Sequence, residues 1–324
     1  MATDAARAED LTEQDLSENL ELAELVEGLT RPQKLISPKY FYDERGSELF
    51  DAICEQPEYY PTQTEIGIMR DNIAEIADAV GPRASVIEFG SGASVKIRIL
   101  LSHLHYVAAY VPVDVSREFL VRSADILAAD YPELEILPVA ADFTKPFELP
   151  SPKVMPERNL VFFPGSTIGN FWPDSAVSLM KVMREEARDG GALLIGVDLV
   201  KDKAVLERAY NDAAGYTERF NLNMLAHLNR RFGADFDLTA FRHRAIYNEE
   251  LDRIEMHLVS ERDQTIHLGD AAIAMAAGEY ILSECSHKYR LETFAQMAEL
   301  AGFRVDRVWT DADDLFSVQY CTAV

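Results

Sequence analysis

The stretch Ser85-Val86-Ile87-Glu88-Phe89-Gly90-Ser91-Gly92 decides the fold of this chain. A short apolar run ends there in a glycine loop, and a helical pattern follows from Val95. Glycines between a strand and a helix allow a tight turn and a close approach of the backbone to a ligand. The stretch is therefore typical of the first strand, loop and helix of an open α/β sheet.

Further short apolar runs alternate with helical patterns after this loop. We predict strands at 110–113, 134–139, 159–163 and 192–200, and helices at 95–104, 118–130 and 175–188. The alternation resumes near the C-terminus, with a predicted helix at 291–301 and predicted strands at 304–310 and 316–321. Short strands that alternate with helices indicate βαβ units and a parallel, doubly wound sheet.

Two regions fall outside this alternation. Residues 38–61 are aromatic and irregular in pattern, and they precede a predicted helix at 62–80. After residue 200 we predict a long helical segment at 202–231, period-2 strands near 237–247 and 253–261, a shorter helix at 271–277 and an extended stretch at 280–287. The predicted fold class is α/β, with a Rossmann-like core and a second α+β domain. We predict segment bounds at 1–60, 61–199, 200–286 and 287–324, with the first and third segments forming the second domain.

The charge of the chain limits its partners. It has 324 residues, 31 Lys+Arg against 55 Asp+Glu, and a formal net charge of −24. Nucleic acids and anionic membranes both reward clustered basic residues, so the acidic balance argues against either as a main partner. Residues 1–30 hold nine acids and one arginine, which predicts a solvated tail that runs into an amphipathic helix.

Cysteine and histidine usage argues against a metal or disulfide scaffold. The three cysteines, Cys54, Cys285 and Cys321, cannot all pair and form no CxxC spacing, which fits a reducing cytoplasm. The seven histidines form no HExxH or similar pattern, so we predict no metal site. No window approaches 18 consecutive apolar residues, so we predict no membrane span, and we expect a monomer.

Three features at successive strand ends predict a cofactor site. The loop Gly90-Ser91-Gly92 follows the first strand, and Asp114 ends the next, where an acid can hydrogen-bond ribose hydroxyls. Asp142 and Phe143 follow the third strand and offer an acceptor and a ring beside a purine. Open α/β sheets bind their ligands at these strand ends. The alternative is a helix-capping loop with two ordinary surface acids.

The chemistry of the loop favours S-adenosylmethionine over other nucleotides. Val95 stands where the dinucleotide fingerprint GxGxxG requires Gly or Ala, and no GxxxxGK[ST] motif is present. A short glycine loop, a ribose-binding acid and an Asp-Phe pair suit a cofactor that has no pyrophosphate. Lys96 either reaches the carboxylate of this cofactor or is a solvated helix lysine.

The fourth strand ends in Phe163-Pro164-Gly165-Ser166-Thr167-Ile168-Gly169-Asn170-Phe171, at the position that faces the reactive methyl group in such sheets. This segment lacks the [DNS]PP[YF] motif with which DNA and glutamine methyltransferases position a base or a planar amide. Asn170 offers both a donor and an acceptor to the backbone groups of an amino acid. The alternative is that Asn170 is only a turn residue between Gly and Phe.

Five segments carry a family resemblance: Tyr-Phe-Tyr-Asp at 40–43, Pro-Glu-Tyr-Tyr-Pro-Thr at 57–62, Glu-Phe-Gly-Ser-Gly at 88–92, Pro-Gly-Ser-Thr-Ile-Gly-Asn-Phe at 164–171 and Glu-Cys-Ser-His-Lys at 284–288. From about residue 35 to the C-terminus, the chain closely resembles the L-histidine Nα-methyltransferases of ergothioneine biosynthesis. The resemblance implies a class I methyltransferase fold and three methyl transfers from S-adenosylmethionine to the α-amine of L-histidine, which yield hercynine. It also implies a cleft between the methyltransferase domain and a substrate domain.

The resemblance implies one group of residues at the amine end of the substrate. Asn170 and Tyr210 are implied to bind its carboxylate and amine, and Tyr42 to place a hydroxyl beside the attacking nitrogen. Phe50 is implied as an aromatic wall, and Gly165 as a carbonyl contact. Among these residues, Tyr42 and Asn170 are the predicted catalytic pair.

A second implied group, Tyr59, Glu284 and Ser286, recognises the imidazole, with Met256 lining that side. Glu284 and Ser286 are two apart on a predicted strand, so their side chains share one face while Cys285 points away. A carboxylate and a hydroxyl suit the two ring nitrogens of imidazole. The alternative is an ordinary solvent-facing pair on a strand.

Two other functions compete with histidine trimethylation. The same fold can methylate another amino acid, but Met256, Glu284 and Ser286 match the histidine pattern. A catalytically dead, cofactor-binding partner subunit would be indicated by loss of Asp114, Tyr42 or Asn170, and all three are present. A dehydrogenase is disfavoured by Val95, which stands where the dinucleotide fingerprint requires Gly or Ala.

Overall fold

The structure, a computed structural model, describes residues 13–91 and 95–324. These residues divide into two compact units. Unit 1 comprises the described part of Met1–Glu58 together with Lys203–Asn248 and Ile254–Cys285. Unit 2 comprises Tyr59–Asp202, Glu249–Arg253 and Ser286–Val324.

The α-helices and β-strands are numbered here in chain order. The described helices are α1 (Glu13–Thr30), α2 (Glu44–Cys54), α3 (Tyr60–Val80), α4 (Val95–Leu101), α5 (Arg117–Asp130), α6 (Pro173–Ala187), α7 (Lys203–Ala209), α8 (Tyr216–Phe232) and α9 (Leu291–Leu300). The described strands are β1 (Lys34–Leu35), β2 (Ala84–Phe89), β3 (Ala109–Asp114), β4 (Val139–Ala140), β5 (Arg158–Phe163), β6 (Ala192–Asp198), β7 (Phe241–Asn248), β8 (Arg253–Ser260), β9 (Gln264–Leu268), β10 (Ala271–Met275), β11 (Tyr280–His287), β12 (Phe303–Thr310) and β13 (Phe316–Ala323). Short 3₁₀ helices cover Pro38–Phe41, Thr167–Asn170 and Leu238–Ala240.

Unit 2 is built on a seven-stranded sheet in the order β12-β13-β6-β5-β2-β3-β4. The five strands from β6 to β4 are parallel, and β13 lies antiparallel between β6 and β12. Neighbouring residues of β5 belong to different apolar cores, since Phe163 packs in one and Phe162 in the other. Side chains alternate across a strand, so helices cover both faces of the sheet, and the predicted α/β class is confirmed.

Unit 1 contains a four-stranded sheet in the order β1-β11-β8-β7 and a two-stranded ribbon of β9 and β10. Helix α2 packs against α8. Phe41 stacks on Phe220 of α8, with ring centroids 4.4 Å apart. In the described part of α1, Leu25 and Leu29 are buried, as expected of an amphipathic helix. The acids at positions 4–10 lie outside the described residues.

The predicted helix at 271–277 is wrong. These residues form β10, which pairs antiparallel with β9. Alanines favoured the helical prediction, but Ile273 and Met275 are buried while Ala272 and Ala274 are exposed. Burial that alternates from one residue to the next is characteristic of a strand with one covered face.

Two other segments depart from the prediction because of aspartate caps. The single helix predicted at 202–231 is two helices, because the Asp212 carboxylate accepts from the Tyr216 and Thr217 N–H groups at 2.8 and 2.7 Å and starts α8 afresh. Part of the irregular stretch 38–61 is helix α2, where Asp43 caps the Gly46 N–H at 2.7 Å.

The strand predicted at 134–139 is shorter than expected, because only Val139–Ala140 form β4.

Candidate active site

The cofactor loop leaves β2 through a backbone turn that suits glycine. Gly90 has a φ of 72°, a conformation that side-chain-bearing residues rarely adopt. The N–H groups of Gly90 and Ser91 donate to the Val113 carbonyl at 2.9 and 3.2 Å, which ties the loop to β3. Gly92 lies outside the described residues. The Ser91 side chain is buried, so the cofactor contact predicted for Ser91 would be made by its backbone.

A buried hydrogen-bonded chain lies under the cofactor loop. The Tyr110 hydroxyl donates to the Glu88 carboxylate and lies 3.1 Å from the Ser91 Oγ. Burial, followed by the charge of Glu88, raises the pKa of Tyr110 well above its ordinary value. The phenol therefore stays protonated, and because its one hydrogen goes to Glu88, it holds the loop by accepting from the Ser91 hydroxyl. Neither Tyr110 nor Glu88 was predicted from the sequence to support the site.

The predicted acids at the next two strand ends are both held by local contacts. Asp114 ends β3 half-buried, and its Oδ1 accepts from the Ser116 N–H at 2.8 Å. Burial raises the pKa of Asp114 despite this bond. At Asp142 burial also raises the pKa, but bonds from Thr144, then Lys145, outweigh it and lower the pKa overall.

Phe143 completes this edge of the sheet. A Cβ placed on Gly90 would lie 3.7 Å from Cε1 of Phe143, so this ring adjoins the glycine loop. The Phe143 ring lies 5.6 Å from the Phe89 ring and is only partly buried. An open glycine turn, a half-buried acid and a ring beside them fit the ribose and adenine of S-adenosylmethionine.

Lys96 is not a solvated lysine, which removes that alternative. Its ammonium lies 2.5 Å from Oε2 of Glu65, and the Glu65 side chain is 1% exposed. The Glu65 carboxylate also accepts from the Gly165 N–H, at 2.9 and 3.1 Å. Gly196 makes room for it, because a Cβ there would lie 2.0 Å from the Glu65 Oε1. One buried acid thus holds a predicted cofactor residue and a predicted substrate residue, and the sequence analysis missed it.

The loop after β5 is fixed from several sides. Gly165 and Ser166 both have positive φ angles, 82° and 54°, and the 3₁₀ helix that follows ends at Asn170. The Ser166 hydroxyl accepts from the Asp198 N–H at 2.9 Å. The ring of His287 is 2.9 Å from the Gly169 carbonyl through its Nδ1. Asn170 therefore follows a backbone that has little freedom.

A buried charge cluster closes this end of unit 2. The Asp198 carboxylate, 1% exposed, accepts from the Tyr60 hydroxyl at 2.8 Å and lies 2.8 Å from the Lys288 ammonium. Lys201 also donates to Asp198, and to the Tyr60 hydroxyl at 2.6 Å. Burial raises the pKa of Asp198, but the two lysines outweigh it and lower the pKa overall. Lys288 in turn donates to the Ser286 Oγ at 2.9 Å.

This cluster was also missed, although one signal for it was present. Lys288 is two residues beyond Ser286, in the quoted segment Glu-Cys-Ser-His-Lys at 284–288. A period of two places Lys288 on the same face as Ser286. Asp198 and Tyr60 carry no such signal, because they are 138 residues apart in the chain.

Unit 1 brings several of the predicted substrate residues together. The rings of Tyr42 and Phe50 are 5.8 Å apart in an edge-to-face arrangement. Half of Tyr42 is accessible to solvent, yet desolvation of its hydroxyl raises its pKa, with further contributions from Glu284, Cys54 and Tyr210. Tyr42 is therefore a neutral phenol at physiological pH and not a base. Met256 is buried in β8 of the same unit.

A buried polar network in unit 1 supports Tyr210. The Ser283 hydroxyl donates to Oδ1 of Asn221 at 2.6 Å, and the Asn221 amide nitrogen is 2.8 Å from Nδ1 of His243. Nε2 of His243 is 2.9 Å from the Tyr210 carbonyl. Since a carbonyl only accepts, His243 carries its proton on Nε2 and accepts at Nδ1. Burial lowers the pKa of His243, which keeps this neutral form.

The predicted substrate residues are distributed over both units. Tyr42, Phe50, Tyr210, Met256 and Glu284 belong to unit 1. Tyr59, Gly165, Asn170 and Ser286 belong to unit 2, as do the described cofactor residues. Among the described residues, no group of three or more His, Cys, Asp or Glu is arranged to hold a metal ion. In the same residues, no helix is long and apolar enough to cross a membrane.

Comparison with solved structures identifies the fold. An S-adenosylmethionine-dependent methyltransferase from Clostridium acetobutylicum aligns with 85% of this chain and 98% of its own, with a TM-score of 0.50 and 10% identity. At this identity the likeness establishes the fold alone. The chain has the fold of the class I S-adenosylmethionine-dependent methyltransferases.

Sequence comparison narrows this class to one family. The family described as "Histidine-specific methyltransferase, SAM-dependent" matches residues 21–323. The Histidine N-alpha-methyltransferases of Mycolicibacterium smegmatis and Mycobacterium tuberculosis are 43% and 41% identical over 291 residues, 88% of this chain and 89% of each relative. Ergothioneine biosynthesis protein 1 of Neurospora crassa is 31% identical over 280 residues, 83% of this chain and 31% of that protein.

The chain belongs to the S-adenosylmethionine-dependent, histidine-specific methyltransferase family. It is an N-methyltransferase, and S-adenosylmethionine is its cofactor. The resemblance on which the sequence analysis relied is thereby confirmed, together with the fold class and the cofactor.

Proposed function

We propose that this enzyme trimethylates the α-amine of L-histidine to hercynine in ergothioneine biosynthesis. The observation that carries the choice of substrate is that Glu284 and Tyr210 both lie within electrostatic reach of the Tyr42 hydroxyl in unit 1. A carboxylate near the neutral phenol of Tyr42 suits a substrate that has both an imidazole and an amine. The 43% identity with a Histidine N-alpha-methyltransferase supports the same substrate.

The proposal assigns the amine end of the substrate to five residues. Asn170 and Tyr210 bind the carboxylate and amine, Tyr42 stands beside the amine, Phe50 forms a wall and Gly165 offers its carbonyl. Tyr42 and Asn170 are the residues proposed to be catalytic. Their support is the rigid loop that ends at Asn170 and the protonated phenol of Tyr42.

Tyr59, Glu284 and Ser286 recognise the imidazole in this proposal, with Met256 lining the ring. The proposed substrate residues thus come from both units, and the described cofactor residues come from unit 2 alone. Ser286 is buried and fixed by Lys288, which supports a recognition role over that of a solvent-facing strand residue.

The cofactor side uses the described residues Gly90, Ser91, Lys96, Asp114, Asp142 and Phe143, together with Gly92. When bound, S-adenosylmethionine supplies an electrophilic methyl group on a sulfonium. The chain then needs only to align a neutral amine with that methyl, because the transfer is a direct displacement. Phe50 and its neighbouring aromatic rings also suit the cationic product.

Proton transfer limits what Tyr42 can do. One proton must leave the substrate nitrogen before each of the three attacks, since only the neutral amine has a lone pair. The raised pKa of Tyr42 excludes the phenolate as the base at physiological pH. Tyr42 therefore orients the amine by hydrogen bonding and does not itself take the protons.

A methyl-transfer assay with each of the twenty amino acids, read by mass, tests the substrate. Histidine should gain three methyl groups, and a clear preference for another amino acid would contradict the proposal. Absence of turnover with all twenty would favour a non-catalytic cofactor-binding subunit.

Glu284→Ala tests the recognition of the ring. Loss of one partner of a buried polar ring should weaken histidine binding by about 1–3 kcal/mol. Glu299→Ala, which removes an exposed acid of α9, is the control and should bind histidine normally. Unchanged histidine affinity of Glu284→Ala would exclude the recognition role.

We also propose that the enzyme is a cytoplasmic monomer. The three cysteines are odd in number and form no CxxC spacing, which supports a reducing compartment. Analytical ultracentrifugation and cell fractionation test the two statements separately, and a dimer or a membrane-pelleted enzyme would contradict them.

A further inference from the structure

The buried ammonium of Lys288 contacts one of the proposed substrate residues. The Lys288 side chain is 1% exposed and lies between Asp198 and Ser286, 2.8 Å from the Asp198 Oδ2 and 2.9 Å from the Ser286 Oγ. The backbone holds this arrangement, because the N–H of Tyr289 donates to the Asp198 carbonyl at 2.9 Å. Lys288 therefore cannot turn away from Ser286 without losing a buried ion pair.

The direction of the bond between Lys288 and Ser286 follows from chemistry alone. A lysine ammonium has three donors and no acceptor, whereas a serine hydroxyl has one hydrogen and two lone pairs. Ser286 must therefore accept from Lys288, and its own hydrogen points elsewhere. Asp198, held ionised by its lysine partners, keeps a cation at this position.

We propose that Lys288 is a positioning residue that makes Ser286 a hydrogen-bond donor to the substrate and thereby selects one neutral tautomer of its imidazole. This inference rests on the proposed function. A donor pairs only with the ring nitrogen that has a lone pair, and a neutral imidazole has one such nitrogen. The other nitrogen carries the proton and needs an acceptor, which a carboxylate such as Glu284 provides.

The tautomer is tested directly on the wild-type enzyme. Histidine labelled with ¹⁵N in the ring is bound together with S-adenosylhomocysteine, and the two ring nitrogens are observed by NMR. We expect one protonated and one unprotonated nitrogen, with a single tautomer dominant. A bound imidazolium, or an equal mixture of tautomers, would overturn the inference.

The role of Lys288 is tested by a double-mutant cycle on the KM for histidine. Ser286→Ala and Lys288→Met should each raise this KM about 5- to 100-fold, and Lys288→Met should add less than about 2-fold in the Ser286→Ala background. Additive effects would mean that Lys288 acts on stability and not through Ser286. The KM for S-adenosylmethionine should stay within about 2-fold in all variants if the cycle reports on the imidazole alone.

Two further variants keep the test decisive if Lys288→Met folds poorly. Lys288→Arg retains a charged donor and should restore most of the histidine affinity. Lys201→Met removes another lysine from the same carboxylate. Lys201 donates to Asp198 and Tyr60, whereas Lys288 donates to Ser286. It should leave the histidine KM nearly unchanged, and an equal rise in both lysine variants would refute the specific role of Lys288.

Failure of this inference is distinguishable from failure of the proposed function. If the wild type does not methylate histidine, the proposed function fails. If Ser286→Ala leaves the histidine KM unchanged, the recognition role of Ser286 fails. If Ser286→Ala raises the KM but the cycle is additive, only the role of Lys288 fails.

Discussion

Two pairs of strand ends in the central sheet of unit 2, those of β3 and β4 and those of β5 and β6, are held in different ways. At the ends of β3 and β4, Asp114 and Asp142 are fixed by bonds to residues two positions along the chain. At the ends of β5 and β6, Gly165 and Asp198 are fixed by residues 100 and 138 positions away, Glu65 and Tyr60. We call the first region the local edge and the second the buried edge. One sheet can therefore position its ligand-binding residues in two ways. Some are held by hydrogen bonds within a turn, and others by buried residues from distant parts of the chain.

Asp198→Asn disrupts the buried edge and should cause the largest loss in the free energy of unfolding. It leaves Lys201 and Lys288 without their shared anion, so we expect a loss of about 3–5 kcal/mol in the free energy of unfolding. Urea denaturation measures this loss. Asp142→Asn, an exposed acid of the local edge paired with Lys145, is the control and should cost no more than about 1 kcal/mol. Equal losses would remove the distinction between the two edges.

Glu65→Gln should have the next largest effect. The amide still accepts from the Gly165 N–H but no longer balances the Lys96 charge, so we expect a loss of about 2–3 kcal/mol in unfolding free energy. The KM values for cofactor and histidine should rise together, since Glu65 contacts a residue proposed for each. Asp71→Asn removes an exposed acid of the same helix and should change neither quantity. A normal KM for both ligands would reduce Glu65 to a purely structural role.

These two edges also explain what the sequence can and cannot predict. The glycine loop, Asp114 and Asp142 follow predicted strands, so local pattern places them at one end of a parallel sheet. Glu65 was missed because a helix glutamate carries no sign of the distant glycine that it meets. Gly196 carries no sign of its role in the sequence either, since its lack of a Cβ matters only because Glu65 occupies that space.

The fold shows the same division. The βαβ units were predicted because strand and helix periods differ within short windows. The strand at 271–275 was predicted as a helix, because alanine propensity is local whereas the pairing with β9 and the burial of Ile273 are tertiary. Family resemblance supplied Tyr42, Asn170 and Glu284, but not the residues that hold them.

Asp114→Ala tests the local edge and should separate binding from stability. Loss of a hydrogen-bonding carboxylate should weaken S-adenosylmethionine binding by about 1.5–3 kcal/mol, measured by calorimetry. Because burial raises the pKa of Asp114, the folded chain gains little from its charge, and the unfolding free energy should not fall. A large loss of stability with unchanged cofactor affinity would contradict the assignment.

The smallest effect that we predict is a pH dependence that belongs to the buried edge. Burial lowers the pKa of Lys201 to about 8, against an ordinary value of 10.5. Above pH 8 the folded chain has released a proton that the unfolded chain still binds, so unfolding free energy should rise with pH in this window. Between about pH 8 and 9.5 the rise should be about 1–2 kcal/mol. Lys201→Met should lack it.

The difference between wild type and Lys201→Met isolates this group, because other titrations are common to both proteins. Measurements stay below pH 9.5, since tyrosines and exposed lysines begin to titrate in the unfolded chain above it. Urea denaturation at several pH values gives both slopes. Parallel slopes would mean that Lys201 keeps its proton throughout, and that Asp198 outweighs the cost of burying two lysines. A steeper slope in the wild type would mean that Lys201 releases its proton within the folded buried edge near pH 8.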